Sequence, residues 1–338
     1  GGAVFMAIDA REYYINDLST ELIDLYRFIA GEGDAEAFFR YAAAINVSWG
    51  EARTFFVKHS SQLRNLFGQL RSGALTREYL SREVGAFIGE NRAAVESLVS
   101  SGFNDDAGAL LQEMKRVIVD KMWRMRKLEG EHGTLPDADL DDNLEGAVKG
   151  ALYMYYRRLY NNQPMAVMQP GRHAALFLFI RNYCYSGMFR YNSAGDFNVP
   201  YGGIAYNSKT MDKKLEYYRS EMLKKRMKST HIYNDDFLTF LHMVKPGEED
   251  FVFLDPPYDS EFSTYAQNEF TRDDQRRLAD YLIDECRAKW MVVIKNTDYI
   301  YSLYNRPGIN IRRFDKKYLV SFMNRNDKKV THLLITNY

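Results

Sequence analysis

Apolar residues recur along this chain at two different spacings, and the spacing changes twice. Over the first thirty residues the pattern alternates between types. "GGAVFMAI" (1–8) has small residues that allow a tight turn into a helix, and "EYYIND" (12–17) is a short strand ending in Asn16-Asp17. "LSTELIDLYRFIA" (18–30) has helical spacing, with Ser19 or Thr20 placed to cap its start. From Gly31 to about Gln163 apolar residues recur every three or four positions and strand signals vanish. "EAFFRYAAAIN", "RTFFVKHSSQLRNLF", "TREYLSREVGAFIGENRAAVESLV" and "ALLQEMKRVIVDKMWRMRKL" each read as an amphipathic helix. "EGEHGTLPDADLDDNLEG" (129–146) reads as an acidic loop, and about 165–204 as an irregular segment rich in Gly and Asn.

Beyond residue 204 helix and strand patterns alternate again. "KKLEYYRSEMLKKRMK" is a basic helix, "THIYN" a strand, "DFLTFLHMV" a helix and "DFVFLD" a strand. "RDDQRRLADYLIDECRAK" is a helix, followed by the strands "WMVVIKN", "INIRRFD" and "VTHLLITNY". Such alternation predicts an α/β domain with a mostly parallel sheet and helices on both faces. The expected organisation is a split α/β domain, 1–30 and 205–338, interrupted by a helical insertion and target-recognition region over 31–204.

Composition narrows the function classes. A chain of 338 residues is long enough for two lobes. Lys plus Arg and Asp plus Glu number 45 each, which excludes a polybasic protein but not a local basic face. Basic runs at 115–127, 213–228 and 312–317 are segregated from the acidic run at 137–145. The two cysteines, Cys184 and Cys286, lie far apart, so a disulfide framework or zinc site is not expected, and the six scattered histidines suggest no metal. No apolar run is long enough to span a bilayer, which leads to the expectation of a soluble protein of a reducing compartment.

The chemistry concentrates at "FVFLDPPY" (251–258). Ligands of open α/β sheets bind beyond the carboxyl ends of the strands, where Asp255 stands. Pro256 and Pro257 end the strand and stiffen the chain after it. A carboxylate beside a rigidly held carbonyl forms an acceptor pair suited to an exocyclic amine. Holding both N–H bonds draws the nitrogen towards tetrahedral geometry and frees its lone pair, while Tyr258 can stack on the ring that carries the amine. A base must leave the duplex to enter such a slot.

Asp-Pro-Pro-Tyr after an apolar strand resembles the catalytic motif of amino-methyltransferases acting on DNA bases. "RYNSAGDFNVPYGG" (190–203), "DPPYDSEFSTYAQNEFTRDDQRRLA" (255–279) and "NRNDKKVTHLLITNY" (324–338) are similar to segments of the Dam-like DNA adenine methyltransferase family, in the same order. The resemblance covers 1–30 and about 165–338. It implies a Rossmann-like sheet with a C-terminal antiparallel hairpin, S-adenosyl-L-methionine as methyl donor, and double-stranded DNA as partner. It also implies a monomer in the cytoplasm of a prokaryotic or phage-infected cell, with a cognate restriction endonuclease where the family serves restriction-modification.

Carried over residue by residue, the resemblance gives Asp255 and Pro256 the adenine amino group, with Pro257 completing the motif and Tyr258 stacking on the base. Asp17 would bind the ribose hydroxyls of the cofactor, and Asp236-Phe237 its adenine. Gly1 and Gly2 look like the tail of the glycine turn that lets the backbone approach the cofactor. Tyr185, Ser186, Arg190, Asn192 and Pro200 fall in the loop pressed against DNA, where Arg190 matches a position that reads a guanine edge. The family often has Asn where this chain has Ser186. In the family a strand at the middle of the sheet leads into the glycine turn, with a lysine-bearing cofactor motif upstream. This sequence begins at the turn, which leads to the expectation that it lacks its natural N-terminus.

Three activities stay open at this point. They are transfer to adenine N6, transfer to the amino group of cytosine, whose motif more often begins with Ser, and a catalytically silent DNA-binding or specificity subunit. A cysteine-nucleophile mechanism is disfavoured because neither Cys184 nor Cys286 follows a proline in a catalytic loop.

Overall fold

The computed structural model describes residues 2–73, 76–99, 102–162, 167–259, 270–317 and 329–338. The chain divides into two compact units, one comprising Gly1–Tyr26, Ser193–Gly195 and Lys225–Tyr338, the other Arg27–Asn192 and Asp196–Lys224.

The second of these is helical. Its longest element is α3 (Ala35–Arg71), whose start is capped by the Asp34 side chain. The two runs read separately in this region are one helix, about 55 Å long at 1.5 Å per residue. Its buried stripe, Phe38, Ala42, Ile45, Trp49, Ala52, Phe56, His59, Leu63 and Phe67, keeps three-to-four spacing throughout. "TREYLSREVGAFIGENRAAVESLV" is instead broken, into α4 (Arg77–Glu90) and α5 (Arg92–Glu96), at Asn91. The Asn91 side chain donates to Phe87 O at 2.8 Å, competing with the helix ladder. Asp106 caps α6 (Ala107–His132).

Three expectations need correction here. The acidic stretch 137–145 is not a loop but the start of α7 (Asp137–Tyr160), with Asp137 and Asp139 in the first turn. Carboxylates are stabilised there by the exposed N–H groups and the positive end of the helix dipole. Within the segment read as irregular, Pro170–Tyr183 is α8, with Pro at the N-terminal position that tolerates it. Apolar residues surround α8 on all sides, so it has no amphipathic signature; Ala174 through Ile180 are all buried. It packs against α3 and α7. The basic run 213–228 is two helices, α9 (Asp212–Arg219) and α10 (Glu221–Lys228), separated by extended backbone at Ser220.

The other unit is mixed α/β. Gly2, at φ 82°, leads into α1 (Ala3–Ala7), followed by β1 (Tyr13–Asn16) and the start of α2 (Thr20–Ala30). β1 pairs in parallel with β2 (Thr230–Tyr233). A four-stranded sheet has the order β3 (Phe251–Leu254), β4 (Lys289–Lys295), β6 (Lys329–Thr336), β5 (Asn310–Lys317). β3 and β4 are parallel, whereas β6 is antiparallel to both β4 and β5. The described strands form two sheets where one was expected; in each the strands run mostly in one direction, with β6 alone reversed between β4 and β5. The hairpin of β5 and β6 is as expected.

Alternation along β4 places Trp290, Val292 and Ile294 on one face, where they join Leu333 and Ile335 of β6. α11 (Phe237–Val244), α12 (Arg272–Asp280) and α13 (Asp298–Tyr304) cover that face through Leu241, Leu278, Ile300 and Tyr304.

Candidate active site

The carboxyl ends of β1 and β2 are laced together side chain to backbone. The Asn16 amide donates to Asp235 O and accepts from Asp235 N–H, both at 2.9 Å, so it extends the ladder by one rung. Asn234 donates to Asp17 O at 2.8 Å and accepts from the Thr20 hydroxyl at 3.0 Å. Asp17 is exposed, and one of its carboxylate oxygens accepts from Ser19 N–H at 2.8 Å. Asp236 is the N-cap of α11, accepting from the N–H groups of Leu238 and Thr239 at 3.0 and 3.2 Å. The same oxygen meets Arg277 at 3.3 Å, and that guanidinium lies 5.2 Å from the Phe237 ring. Asp236 is thus a cap in this structure, with one oxygen engaged. Gly2 lies beside Tyr26, whose hydroxyl would clash with an added Cβ. Gly1 lies outside the described residues.

β3 ends at Leu254, and Asp255 follows it, exposed to solvent. Pro256, Pro257 and Tyr258 are half-buried. The turn is tied down from α12. The Gln275 amide, 1% exposed, donates to Pro257 O at 2.7 Å. α12 owes its position to a capping box in which Thr271 and Asp274 satisfy each other's backbone N–H groups. One turn of α12 therefore holds both Pro257, through Gln275, and Asp236, through Arg277. Asp259 closes the turn, accepting from Arg272 at 3.1 Å and from the Thr297 hydroxyl at 3.2 Å.

Tyr258 stands against β6. Its hydroxyl is 3.3 Å from His332 Nε2, and the two rings meet edge to face with centroids 5.5 Å apart. His332 is 1% exposed and pairs in register with Phe314 of β5, ring centroids 5.6 Å apart. Gln275, Arg277 and His332 were not read from the sequence as parts of the site. The Thr-x-x-Asp box before "QRR" was a usable signal for the first two; nothing local marks His332, whose role depends on strand register.

The second group of candidate residues lies in the helical unit. Tyr185–Gly187 is a single tight turn with Ser186 at φ 55°, ψ 16°, in the left-handed region. Beyond it the chain makes a hairpin, with Cys184 opposite Tyr201 and Tyr191 opposite Phe197. Tyr185 N–H donates to Pro200 O at 2.9 Å, and Asn192 exchanges backbone and side-chain bonds with Asp196, both at 2.8 Å. Arg190 is exposed, and its Nε donates to Asn198 Oδ1 at 2.9 Å. Cys184 is fully buried, and burial pushes its thiol up to about 11. Among the described residues no His, Cys, Asp and Glu cluster is arranged to hold a metal ion, and no helix is long and apolar enough to cross a membrane.

Known proteins resemble this chain in sequence. Residues 131–320 match the family model for D12 class N6 adenine-specific DNA methyltransferases. The chain is 35% identical over 169 residues to the type II methyltransferase M.CviBI of Paramecium bursaria Chlorella virus NC1A, covering 49% of this chain and 61% of that protein. It is 34% identical over 178 residues to the type II methyltransferase M.MjaIII of Methanocaldococcus jannaschii, covering 49% and 58%. It is 27% identical over 190 residues to the DNA adenine methylase of Escherichia coli, covering 54% and 63%. The chain thus spans about three fifths of the length of these relatives. With more than half of its residues matched by the family model, from α7 through β5, the chain belongs to the D12 class N6 adenine-specific DNA methyltransferase family.

Proposed function

We propose that this protein transfers a methyl group from S-adenosyl-L-methionine to N6 of an adenine flipped out of double-stranded DNA. The observation that carries the reading is the anchored Asp255–Tyr258 turn at the carboxyl end of β3, held by Gln275 and backed by His332. Asp255 and the Pro256 carbonyl accept the two N–H bonds of the amine. The stiffness of the proline pair keeps the acceptors in place, so the nitrogen lone pair is presented for attack rather than delocalised into the ring. Tyr258 supplies the stacking face, a contact worth roughly 1–3 kcal/mol per base. The exposed carboxylate leaves an open route to water for the proton released after transfer.

The residues present fit the cofactor. The Asp17 carboxylate projects at the end of β1 with only one N–H bond, from Ser19, among the described residues. Its remaining lone pairs suit a ribose diol. The second oxygen of Asp236 and the half-buried Phe237 ring suit a purine. Bound there, the cofactor supplies an electrophilic methyl group on sulfonium sulfur.

This reading assigns the mixed unit to a Rossmann-like catalytic domain and 31–204 to a helical insertion with target recognition. Tyr185, Ser186, Arg190, Asn192 and Pro200 face DNA, and Arg190 reads a guanine edge. The enzyme acts as a monomer, with a restriction endonuclease as its partner in the cell. Transfer of a radiolabelled methyl group to plasmid DNA tests the activity; a protein that binds donor and duplex yet incorporates no label would refute it.

A further inference from the structure

The hairpin bearing Arg190 is bolted to the last turn of α7. The side-chain amide of Asn161, the C-cap of that helix, donates to Phe197 O at 3.1 Å and accepts from Phe197 N–H at 3.0 Å. This is the two-bond pairing that a neighbouring strand would make, and it fixes the register of the returning strand to one residue. The Tyr153 hydroxyl and Arg157 both donate to Val199 O, at 2.9 and 3.1 Å. The hydroxyls of Tyr160 and Tyr191 are 2.9 Å apart. Residues 153, 157, 160 and 161 lie on one side of the helix by their three-to-four spacing. Phe197 and Val199 are buried at 1% and 0% exposure, so Asn198 between them is held from both sides.

Asn198 is what Arg190 rests on. Its N–H donates to Arg190 O at 3.1 Å, and its side-chain oxygen accepts from Arg190 Nε at 2.9 Å. That bond uses one of the five guanidinium N–H groups and sets the plane of the fork. A bidentate contact to a guanine edge requires that plane to be set before DNA arrives, because an arginine free to rotate loses entropy on binding.

We propose that Asn198 and Asn161 are positioning residues for sequence recognition: Asn161 sets the register of the hairpin on α7, and Asn198 orients the Arg190 guanidinium. The inference rests on the proposed reading of Arg190 as the residue that contacts guanine.

The test is selection of bound duplexes by the full chain from a library randomised in sequence, read by sequencing, with thermal melting of each variant alongside. Wild type should enrich guanine at one position, and Arg190→Ala should reduce that preference roughly 10-fold or more. Asn198→Ala should reduce it at the same position by at least a third as much on a logarithmic scale. Asn198→Asp, which keeps an acceptor for Nε, should retain it. Asn161→Ala should blur the preference across neighbouring positions, because the register of the strand is no longer held. If Arg190→Ala leaves the preference intact, the reading of Arg190 itself fails. If Arg190→Ala abolishes it while Asn198→Ala and Asn198→Asp, both melting like wild type, leave it unchanged, the positioning inference fails alone.

Discussion

The Tyr258 hydroxyl stands 3.3 Å from Nε2 of His332, with the two rings edge to face. The ring proposed to stack on the extruded base is thereby held by a residue 74 positions away in sequence. Removing only the hydroxyl should cost one hydrogen bond, about 1 kcal/mol or five-fold in kcat/KM for duplex DNA. Tyr258→Phe should therefore remain an active enzyme. Tyr258→Ala loses the stacking face as well and should fall roughly a further 10- to 100-fold. Steady-state kinetics on one duplex separates the two losses; equal damage from both variants would remove the stacking role.

Gln275 holds Pro257 O from a position 1% exposed to solvent. Gln275→Ala removes that donor from the carbonyl, at a cost of about 1–3 kcal/mol. The turn carrying Asp255 should lose its preorganisation, lowering kcat about 10-fold with little change in KM for the methyl donor. Gln275→Glu should be worse than Gln275→Ala, since an ionised carboxylate would face the carbonyl. Denaturation midpoints together with kcat check both statements.

Much of this molecule was legible in the sequence, for identifiable reasons. The strands at 13–16, 230–233, 251–254, 289–295 and 310–317 announced themselves by short β-branched and aromatic runs bounded by turn residues. α8 was hidden because a helix buried on every side has no polar face to set a period. The start of α7 was hidden because six residues of "DADLDDNLEG" are Asp, Asn or Glu, which elsewhere favour loops but at a helix N-terminus are stabilised. The position of β6 between β4 and β5 was not readable, since strand order is a tertiary property. Asp255–Tyr258 could be singled out as a candidate because the chemistry proposed for it is local. Of the residues that hold it, Gln275 was marked only by the Thr271-x-x-Asp274 box before it, and His332 by nothing local.

Ser186 occupies left-handed backbone at φ 55°, where a residue other than Gly or Asn is strained. Ser186→Asn should raise stability by about 0.5–1 kcal/mol, because Asn tolerates this region. Ser186→Val should lower it by about 1–2 kcal/mol, since a β-branched side chain crowds the same backbone. Urea midpoints read the difference, and a loss of stability in the Asn variant would show that the turn is not strained.

Burial raises the Cys184 thiol from an ordinary value of 9.0 to about 11. Between those values the unfolded thiol ionises while the folded one keeps its proton. The stabilising contribution is therefore complete below pH 9 and declines by about 1.4 kcal/mol per unit as pH rises towards 11. Cys184→Ala should show a shallower loss of stability over pH 9–10 than wild type. Parallel slopes for the two proteins would contradict the assignment.

The proposed reaction requires Asp255 and its proline neighbour to present an adenine amine for methylation. The most direct measurement is nucleoside mass spectrometry of duplex DNA incubated with the full chain and isotopically labelled S-adenosyl-L-methionine. Labelled N6-methyladenine is expected from the wild type, and its loss in Asp255→Ala with DNA binding retained. Label in N4-methylcytosine, or N6-methyladenine formed equally well by Asp255→Ala, would contradict it.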